Sequence, residues 1–272
     1  MNADSDSIIE NNISTALIFE DDADWDIRVK SQLHQFALAA QVLSQPLVSD
    51  RREYIDPTWP TPRDSSPPQE VNVDIVNMVS PPSWSPYGDN WEVLWLGHCG
   101  ERFPEVERDS EIPRGRVIIS NDYTVPESRH IDKLFGTDEL MTKYPDHTRV
   151  VHHTAETVCS LAYAVTQAAA RRILYSGGIR QWMGPFDIFL RNYCTGNMDG
   201  GKVRNCVTVQ PQYFQQHQPI GMTCEWSDIS DCTTADYNDN PRTLNIRLSA
   251  RTNLQKLIEG ETDFIDSYPD TT

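Results

Sequence analysis

The run Ala16-Leu17-Ile18-Phe19 leads directly into Glu20-Asp21-Asp22, and this junction is the strongest indication of the fold. A short apolar run that ends in carboxylates is typical of a buried strand that opens into a polar crevice. After the carboxylates, the segment 25–43 carries apolar residues near helical spacing, which predicts an amphipathic helix. Asp22 or Asp24 is the expected N-cap of this helix.

The rest of the chain repeats the alternation of strand and helix. Buried strands are predicted at 91–97, 158–165 and 206–209, and helices at 168–175 and from Pro185 onward. Eight of the chain's 18 prolines lie between Pro57 and Pro86, which predicts a Pro-rich insertion over about 56–90. Strands alternating with helices predict an α/β fold with one domain over 1–220 and an acidic C-terminal tail over 221–272.

The net charge of the chain limits the classes of partner that it is expected to bind. With 23 Lys+Arg against 40 Asp+Glu, the formal net charge is −17 and the isoelectric point is near 4.7. This balance argues against nucleic-acid binding and against docking on an anionic membrane surface. No stretch of the sequence approaches 18 consecutive apolar residues, so no membrane span is predicted. The acidic first ten residues do not resemble a signal peptide.

The cysteines and one sequon bear on compartment and modification. The six cysteines contain no C-x-x-C pair, so a structural zinc site is not expected. Cys194 and Cys206 bracket a Gly-rich loop, and Cys224 and Cys232 bracket a polar one; both spacings allow a disulfide, and free thiols remain an equal alternative. Asn12-Ile13-Ser14 matches the N-glycosylation sequon, but it directly precedes an apolar run, which favours a coincidental match.

The carboxylates Glu20, Asp21 and Asp22 are the candidate metal ligands. In extended geometry Glu20 and Asp22 face the same side while Asp21 points away. Three adjacent carboxylates repel one another unless a cation neutralises them, and Mn²⁺ or Mg²⁺ takes such oxygen ligands together with a substrate diphosphate. The alternative is an exposed acidic helix start. From the residues alone, this alternative is preferred.

Five blocks of the sequence, in order, resemble glycosyltransferase family 25, which holds lipopolysaccharide and collagen galactosyltransferases. The resemblance is strongest to the fungal branch of that family. The matching blocks are the stretch Ala16 to Trp25 (ALIFEDDADW), Trp91 to Gly100, Cys159 to Leu174 (CSLAYAVTQAAARRIL), Phe186 to Leu190 (FDIFL) and Val207 to Phe214. Ala169 stands where the family usually has glycine.

The resemblance implies a GT-A-like (Rossmann-like) mixed sheet with flanking helices. In the family a further βα unit precedes the E-D-D strand, so this sheet is expected to lack its first βα unit. The resemblance also implies Mn²⁺ or Mg²⁺ at Glu20, Asp21 and Asp22, a nucleotide-sugar donor such as a UDP-hexose, and a glycan or protein acceptor. The full-length form is expected at Golgi or endoplasmic reticulum membranes.

Further candidates come from the chemistry of individual residues. Asp187, at a loop-to-helix junction, is the candidate base for the acceptor hydroxyl, with a helix N-cap as the equal alternative. Gly97 and His98 at the end of a strand, and His153, are candidate substrate-binding residues.

The predicted function is a metal-dependent transfer of a hexose, galactose by family precedent, from a nucleotide sugar to a hydroxyl. Two alternatives remain open from the sequence. One is a catalytically inactive remnant that serves as a scaffold or binding module. The other is a metal-dependent hydrolase that uses the E-D-D run with His98 or His152.

Overall fold

A large mixed sheet with helices on both faces forms the body of the protein. The computed structural model describes residues 3–63, 65–180, 184–198, 200–225, 233 and 237–271. The principal sheet order is β1-β7-β4-β8-β6-β5-β3, and β9 pairs at the end of β4 and with β2 and β12. The β4–β8 and β3–β5 pairs are parallel, whereas β7 is antiparallel to both of its neighbours. The prediction of an α/β fold with a mixed sheet is confirmed.

The elements have the following bounds. The strands are β1 (Thr15–Phe19), β2 (Ala23–Trp25), β3 (Glu70–Asn72), β4 (Val93–Gly97), β5 (Arg116–Ile119), β6 (Arg149–His153), β7 (Ala162–Thr166), β8 (Cys206–Gln210), β9 (Phe214–Gln218), β10 (Gly221–Met222), β11 (Tyr237–Asn238) and β12 (Arg242–Thr243). The α-helices are α1 (Ala3–Glu10), α2 (Val29–Ser44), α3 (Glu139–Lys143), α4 (Gln167–Ile173), α5 (Phe186–Thr195) and α6 (Leu254–Glu259). Helix α4 continues as a π-helical segment, Leu174–Arg180.

Strand β4 shows how the sheet divides the core into two layers. Its side chains alternate, as a strand requires, so that Leu94 and Leu96 pack on the face covered by α2. Val93 and Trp95 pack on the opposite face with α4 and α5. All four side chains are buried. The apolar run 93–96 is therefore a central strand buried on both faces, as its sequence predicts.

Strand β1 lies at an edge of the sheet, and this corrects the prediction that it is buried. Its only strand partner among the described residues is β7, in antiparallel register from Thr15 with Thr166 to Phe19 with Ala162. Alternate residues are exposed, with Leu17 at 43% and Phe19 at 52%. Half-exposure along a period of two is the expected pattern of an edge strand that packs one face on the core.

The carboxylate run does not cap a helix. Ala23–Trp25 forms β2, which pairs with β9, and α2 begins only after Arg28. Asp24 is fully buried and accepts hydrogen bonds from the Thr243 and Ser249 hydroxyls and from the Arg251 main chain. The N-cap prediction for Asp22 or Asp24 is therefore wrong, because partners distant in sequence hold this segment as a strand.

The C-terminal segment is tied to the same region. Besides the Asp24 contacts, the buried Asp26 accepts from the Leu248 main chain at 3.0 Å and pairs with Arg28 at 2.7 Å. Arg247 in turn pairs with Asp266 and Asp270. Residues 242–271, expected as part of an acidic tail, thus lie against the body through their contacts with Asp24 and Asp26, and the Arg247 pairs hold the segment together. Among the described helices, none is long and apolar enough to cross a membrane.

Two disulfides have both of their cysteines among the described residues. Cys194 is joined to Cys206, at one of the two spacings that allow a bridge, and Cys99 is joined to Cys159 across 60 residues. Cys224 is also disulfide-bonded, whereas Cys232 lies outside the described residues. No described cysteine is free. The alternative of free thiols is therefore wrong for the described cysteines.

Candidate active site

The candidate site lies where β1 ends and Asp187, from a distant part of the chain, approaches Glu20. Glu20 follows β1, and its main-chain N–H donates to the Leu161 carbonyl at 2.9 Å, which continues the pairing with the neighbouring strand. The Ser160 hydroxyl donates to Oε1 of Glu20 at 3.0 Å. The loop that leads into β7 therefore fixes the orientation of Glu20.

Asp187 reaches the same loop from helix α5. Its Oδ2 accepts from the main-chain N–H of Cys159 at 2.9 Å, and its Oδ1 accepts from the N–H of Ile188. The N-cap position of α5 is Pro185, so Asp187 is one of the first residues of the helix and not its cap. Asp187 and Glu20 thus hold adjacent residues, Cys159 and Ser160.

The neighbouring carboxylates affect the pKa of Glu20. Although Glu20 is exposed, partial loss of hydration raises its pKa above the ordinary value, and the Ser160 hydrogen bond only partly opposes this. The negative charges of Asp22, Asp187 and Asp21 raise the pKa of Glu20 further. The site therefore concentrates negative charge that a cation would neutralise.

Asp22 presents an oxygen without a protein partner. Its Oδ2 accepts from Nε2 of Gln216 on β9 at 2.8 Å. Its Oδ1 is buried and has no hydrogen-bond partner among the described residues. A carboxylate oxygen in a buried position without a protein partner is available to a cation or to water. This donor set fits a hard divalent cation, since such cations prefer carboxylate oxygens.

The carboxylates do not form a complete metal cage by themselves. Across the described ranges, no three His, Cys, Asp or Glu side chains form a group that could hold a metal ion. A cation at Asp22 and Glu20 would therefore take its remaining ligands from water and from a substrate, as Mg²⁺ does with substrate phosphates. Asp21 offers less, because it is exposed and its main-chain carbonyl accepts from Arg251.

The loop that contains Cys159 and Ser160, which contact Asp187 and Glu20, is held in place by further contacts. Cys159 has a left-handed backbone (φ 61°) and forms the disulfide to Cys99. Nε1 of the buried Trp95 donates to the Cys159 carbonyl at 2.9 Å. The block CSLAYAV was singled out by its sequence, but nothing in the sequence indicated that Cys159 and Ser160 link the two carboxylate groups.

His98, a predicted substrate-binding residue, makes its contacts within the protein interior. Both nitrogens of the buried His98 are used internally: Nε2 contacts the Val209 carbonyl at 2.9 Å, and Nδ1 accepts from the Gly100 N–H at 3.2 Å. Burial lowers the pKa of His98 to about 4, so its ring is neutral at pH 7. The cavity beside it has about 20 Å³, room for a water molecule and not for a sugar.

Gly97 and His153 have evident packing roles. A Cβ at Gly97 would lie 2.8 Å from the Ala162 nitrogen and from Cβ of Phe214, so only glycine allows β4, β7 and β9 to meet here. The buried His153 ring stacks on Trp59 with centroids 5.0 Å apart, and burial lowers its pKa to about 4. A role of either residue in substrate binding stays a prediction.

A polar cleft of about 360 Å³ lies along helix α5. Arg191, Asn192 and Thr195 line one side of it, and Arg108 and Glu156 line another. Because Asp187 and Arg191 are four residues apart on one helix, they lie on the same face, one turn apart. Asp187 itself is not among the residues that line the cleft, and it lies one helical turn before Arg191. No pattern in the sequence indicates this cleft.

Known proteins were compared with both the sequence and the structure. The chain matches no family model, no curated protein and no solved structure.

Proposed function

We propose that the chain is a metal-dependent glycosyltransferase of GT-A-like architecture. It would move a hexose, galactose by the resemblance to family 25, from a nucleotide sugar such as a UDP-hexose to a hydroxyl of a glycan or protein. The observation that carries the proposal is the approach of Asp187 to Glu20, which lies two residues before Asp22. These residues belong to two separate blocks of the resemblance, and Asp22 and Asp187 are 165 residues apart in the sequence.

The donor side of the site is the end of β1. Asp22, through its unpartnered Oδ1, and Glu20 are the residues that would hold Mn²⁺ or Mg²⁺. The bound cation would neutralise the charge that develops on the diphosphate as it leaves. Gln216 and Ser160 hold the two carboxylates in place through the hydrogen bonds at 2.8 and 3.0 Å. Asp21 contributes charge without a fixed orientation toward the site.

The acceptor side of the site is the cleft along α5. An acceptor bound there directs a hydroxyl toward Asp187, which takes the hydroxyl proton. The hydroxyl oxygen forms a bond to C1 of the hexose, while the bond from C1 to the diphosphate breaks and its electron pair leaves with the nucleotide. The charged residues of the cleft include arginines and acids in equal number, which suits a neutral, polyhydroxylated ligand. They are Arg102, Arg108, Arg191, Asp109, Glu111 and Glu156.

The disulfides support the expected compartment. Disulfides persist in oxidising compartments, which include the lumen of the endoplasmic reticulum, and are rare in reducing ones. Because no described cysteine is free, the protein is suited to such a compartment. This agrees with the secretory-pathway location that the resemblance implies.

The direct test is donor turnover with a matched pair of variants. The protein is incubated with UDP-galactose or UDP-glucose and Mn²⁺, and the release of UDP is followed with and without a chelator. We expect Mn²⁺-dependent release that is lost in Asp22→Asn and largely kept in Asp21→Asn. Folded protein that neither binds nor hydrolyses any UDP-hexose would contradict the proposal and favour a non-catalytic binding module. Metal-dependent cleavage of simple phosphate esters without any sugar transfer would favour a hydrolase.

A further inference from the structure

The turn that joins α1 to β1 carries the only N-x-S/T sequon in the sequence, Asn12-Ile13-Ser14. From the sequence alone, the apolar run that follows favours a coincidental match. The structure changes that expectation, because β1 is an edge strand and all three residues of the sequon are exposed.

The turn holds the main chain and the side-chain amide oxygen of Asn12 by hydrogen bonds. Its backbone is held by main-chain hydrogen bonds from Asn12 to Ile9 and from Ile13 to Ile8, and Asn12 has a left-handed φ of 52°. Oδ1 of Asn12 accepts from Nε2 of Gln167 at 3.0 Å. Nδ2, the atom that is modified in N-glycosylation, has no partner among the described residues. The amide is therefore oriented by the hydrogen bond to its oxygen, in a residue that is exposed.

The disulfides supply a second, independent argument. N-glycosylation of this sequon belongs to secreted and lumenal proteins, the same compartments in which disulfides form. Cys99–Cys159 and Cys194–Cys206 are both formed, and no described cysteine is free. The exposed sequon and the oxidised cysteines therefore indicate the same environment.

We propose that Asn12 is an N-glycosylation site. The donor is an oligosaccharide linked to a polyisoprenyl diphosphate. Nδ2 of Asn12 forms a bond to C1 of the first sugar and loses one proton to a base of the transferring enzyme. The bond from C1 to the diphosphate oxygen breaks, and the lipid diphosphate leaves with the electron pair. This proposal is independent of the proposed glycosyltransferase activity of the chain itself.

The position of Asn12 keeps its glycan away from the carboxylates. Asn12 precedes β1 and Glu20 follows it, and a strand of five residues spans about 16 Å. The glycan would lie beside the free edge of β1, where Leu17 is exposed. A bulky hydrated chain at this position would hinder edge-to-edge pairing between molecules.

The test is expression of the chain behind an endoplasmic reticulum leader in eukaryotic cells. Gel mobility is compared before and after digestion with peptide N-glycosidase, and a peptide map locates the modified asparagine. We expect one glycan in the wild-type protein, no glycan in Asn12→Gln or Ser14→Ala, and an unchanged glycan in Asn11→Gln and Ser14→Thr. The last two are matched controls, because Asn11 lies beside the sequon and threonine preserves it.

Two outcomes would overturn this proposal. One is a wild-type protein that reaches the lumen with its disulfides formed and carries no glycan, in cells that glycosylate a reference protein. The other is a mobility shift that persists in Asn12→Gln. Glycosylation with no donor turnover would leave the Asn12 proposal intact and contradict the glycosyltransferase proposal alone.

Discussion

The main-chain N–H of Cys159 donates to Oδ2 of Asp187 at 2.9 Å, and this bond ties helix α5 to the loop before β7. Cys159 is in turn fixed by its disulfide to Cys99 and by the hydrogen bond from Trp95. The next residue, Ser160, donates to Glu20. The positions of the two carboxylates are therefore coupled through two consecutive residues of one rigid loop.

Asp187 is tested by removal of its charge. Asp187→Asn keeps an oxygen that can accept from Cys159 but loses most of its basicity, so we expect transfer to fall about 10²–10⁴-fold. Binding of UDP-hexose with Mn²⁺ should stay within a few fold of wild type. The rate is measured as sugar transfer and the binding by calorimetry. Asp146→Asn, at an exposed carboxylate remote from the cleft, is the control. Equal rates for both variants would remove Asp187 from the mechanism.

Asp22 and Asp21 form a natural pair for the metal prediction. Asp22→Asn removes the carboxylate with the unpartnered oxygen, and we expect Mn²⁺-dependent donor binding to weaken more than tenfold. The figure is a lower bound, because loss of outer-shell partners alone weakens metal binding by about 10–100-fold. Asp21→Asn should have a smaller effect. Electron paramagnetic resonance of Mn²⁺ titrated with UDP measures both. A larger effect of Asp21→Asn would invert the assignment of ligands.

The cleft along α5 is tested at Asn192. Asn192→Ala removes one hydrogen-bonding side chain from the wall of the cleft, and the loss of one hydrogen bond corresponds to about a 2–10-fold change. We expect KM for the acceptor to rise by that factor, with kcat and the KM for the donor unchanged. Methyl glycosides at saturating UDP-galactose are the acceptor probes. Asn77→Ala, at an exposed position, is the control. A change confined to the donor KM would place the donor, not the acceptor, in the cleft.

The elements that the sequence predicts well are those determined by local pattern. Strands β4 and β8 form where apolar residues run together, as predicted at 91–97 and 206–209. Helix α4 overlaps the predicted helix 168–175, and Thr166 caps it by accepting from the Ala169 N–H at 3.1 Å. Helix α5 begins directly after Pro185, as predicted. In each case the deciding residues lie within a few positions of one another.

The elements that the sequence predicts wrongly depend on distant partners. Asp24 is typical of an N-cap by residue type, but Thr243 and Ser249 hold it in a strand, and neither can be identified from local pattern. Strand β1 is as apolar as β4, and only its place at the end of the sheet exposes it. The Cys99–Cys159 pair, 60 residues apart, could not be chosen among the possible pairings.

The two disulfides should differ in their effect on the site. In the chain-entropy description, Cys99–Cys159 closes a loop of 60 residues and stabilises by about 4 kcal/mol, whereas Cys194–Cys206 closes 12 residues and stabilises by about 3 kcal/mol. We expect the double serine variant of the first pair to lose donor turnover at temperatures where it is still folded. The variant of the second pair should keep turnover. Urea unfolding gives the stabilities. Equal loss of turnover in both variants would show that the first disulfide has no specific role at the site.

Glu101 predicts a pH dependence of stability. It is buried, it accepts from the main-chain N–H groups of Arg102 and Glu156 at 2.8 Å, and the Thr157 hydroxyl donates to it. Burial raises the pKa of Glu101 to about 7 in the folded protein, from an ordinary value of 4.5, despite these hydrogen bonds. The folded state therefore prefers protonated Glu101. Its contribution to stability is fully present below pH 4.5 and is lost as the pH rises through about 7.

Other groups change the free energy of unfolding with pH in the direction opposite to Glu101. The effect of Glu101 is therefore measured as a difference between two proteins. Burial lowers the pKa of His98 and of His153 to about 4, and these two groups add stability as the pH rises from about 4 through their ordinary value of 6.5. The variant Glu101→Gln retains these histidines and removes only the Glu101 titration. Subtraction of its profile from that of the wild-type protein isolates Glu101.

We expect the free energy of unfolding of the wild-type protein, relative to Glu101→Gln, to fall by on the order of 3 kcal/mol between pH 4.5 and pH 8. The measurement is urea unfolding at a series of pH values. Glu107→Gln, at an exposed position, should give a profile parallel to wild type. A parallel profile for Glu101→Gln as well would mean that Glu101 titrates near its ordinary value in the folded protein. Its burial beside Thr157 would then be compensated by hydration or by its hydrogen bonds.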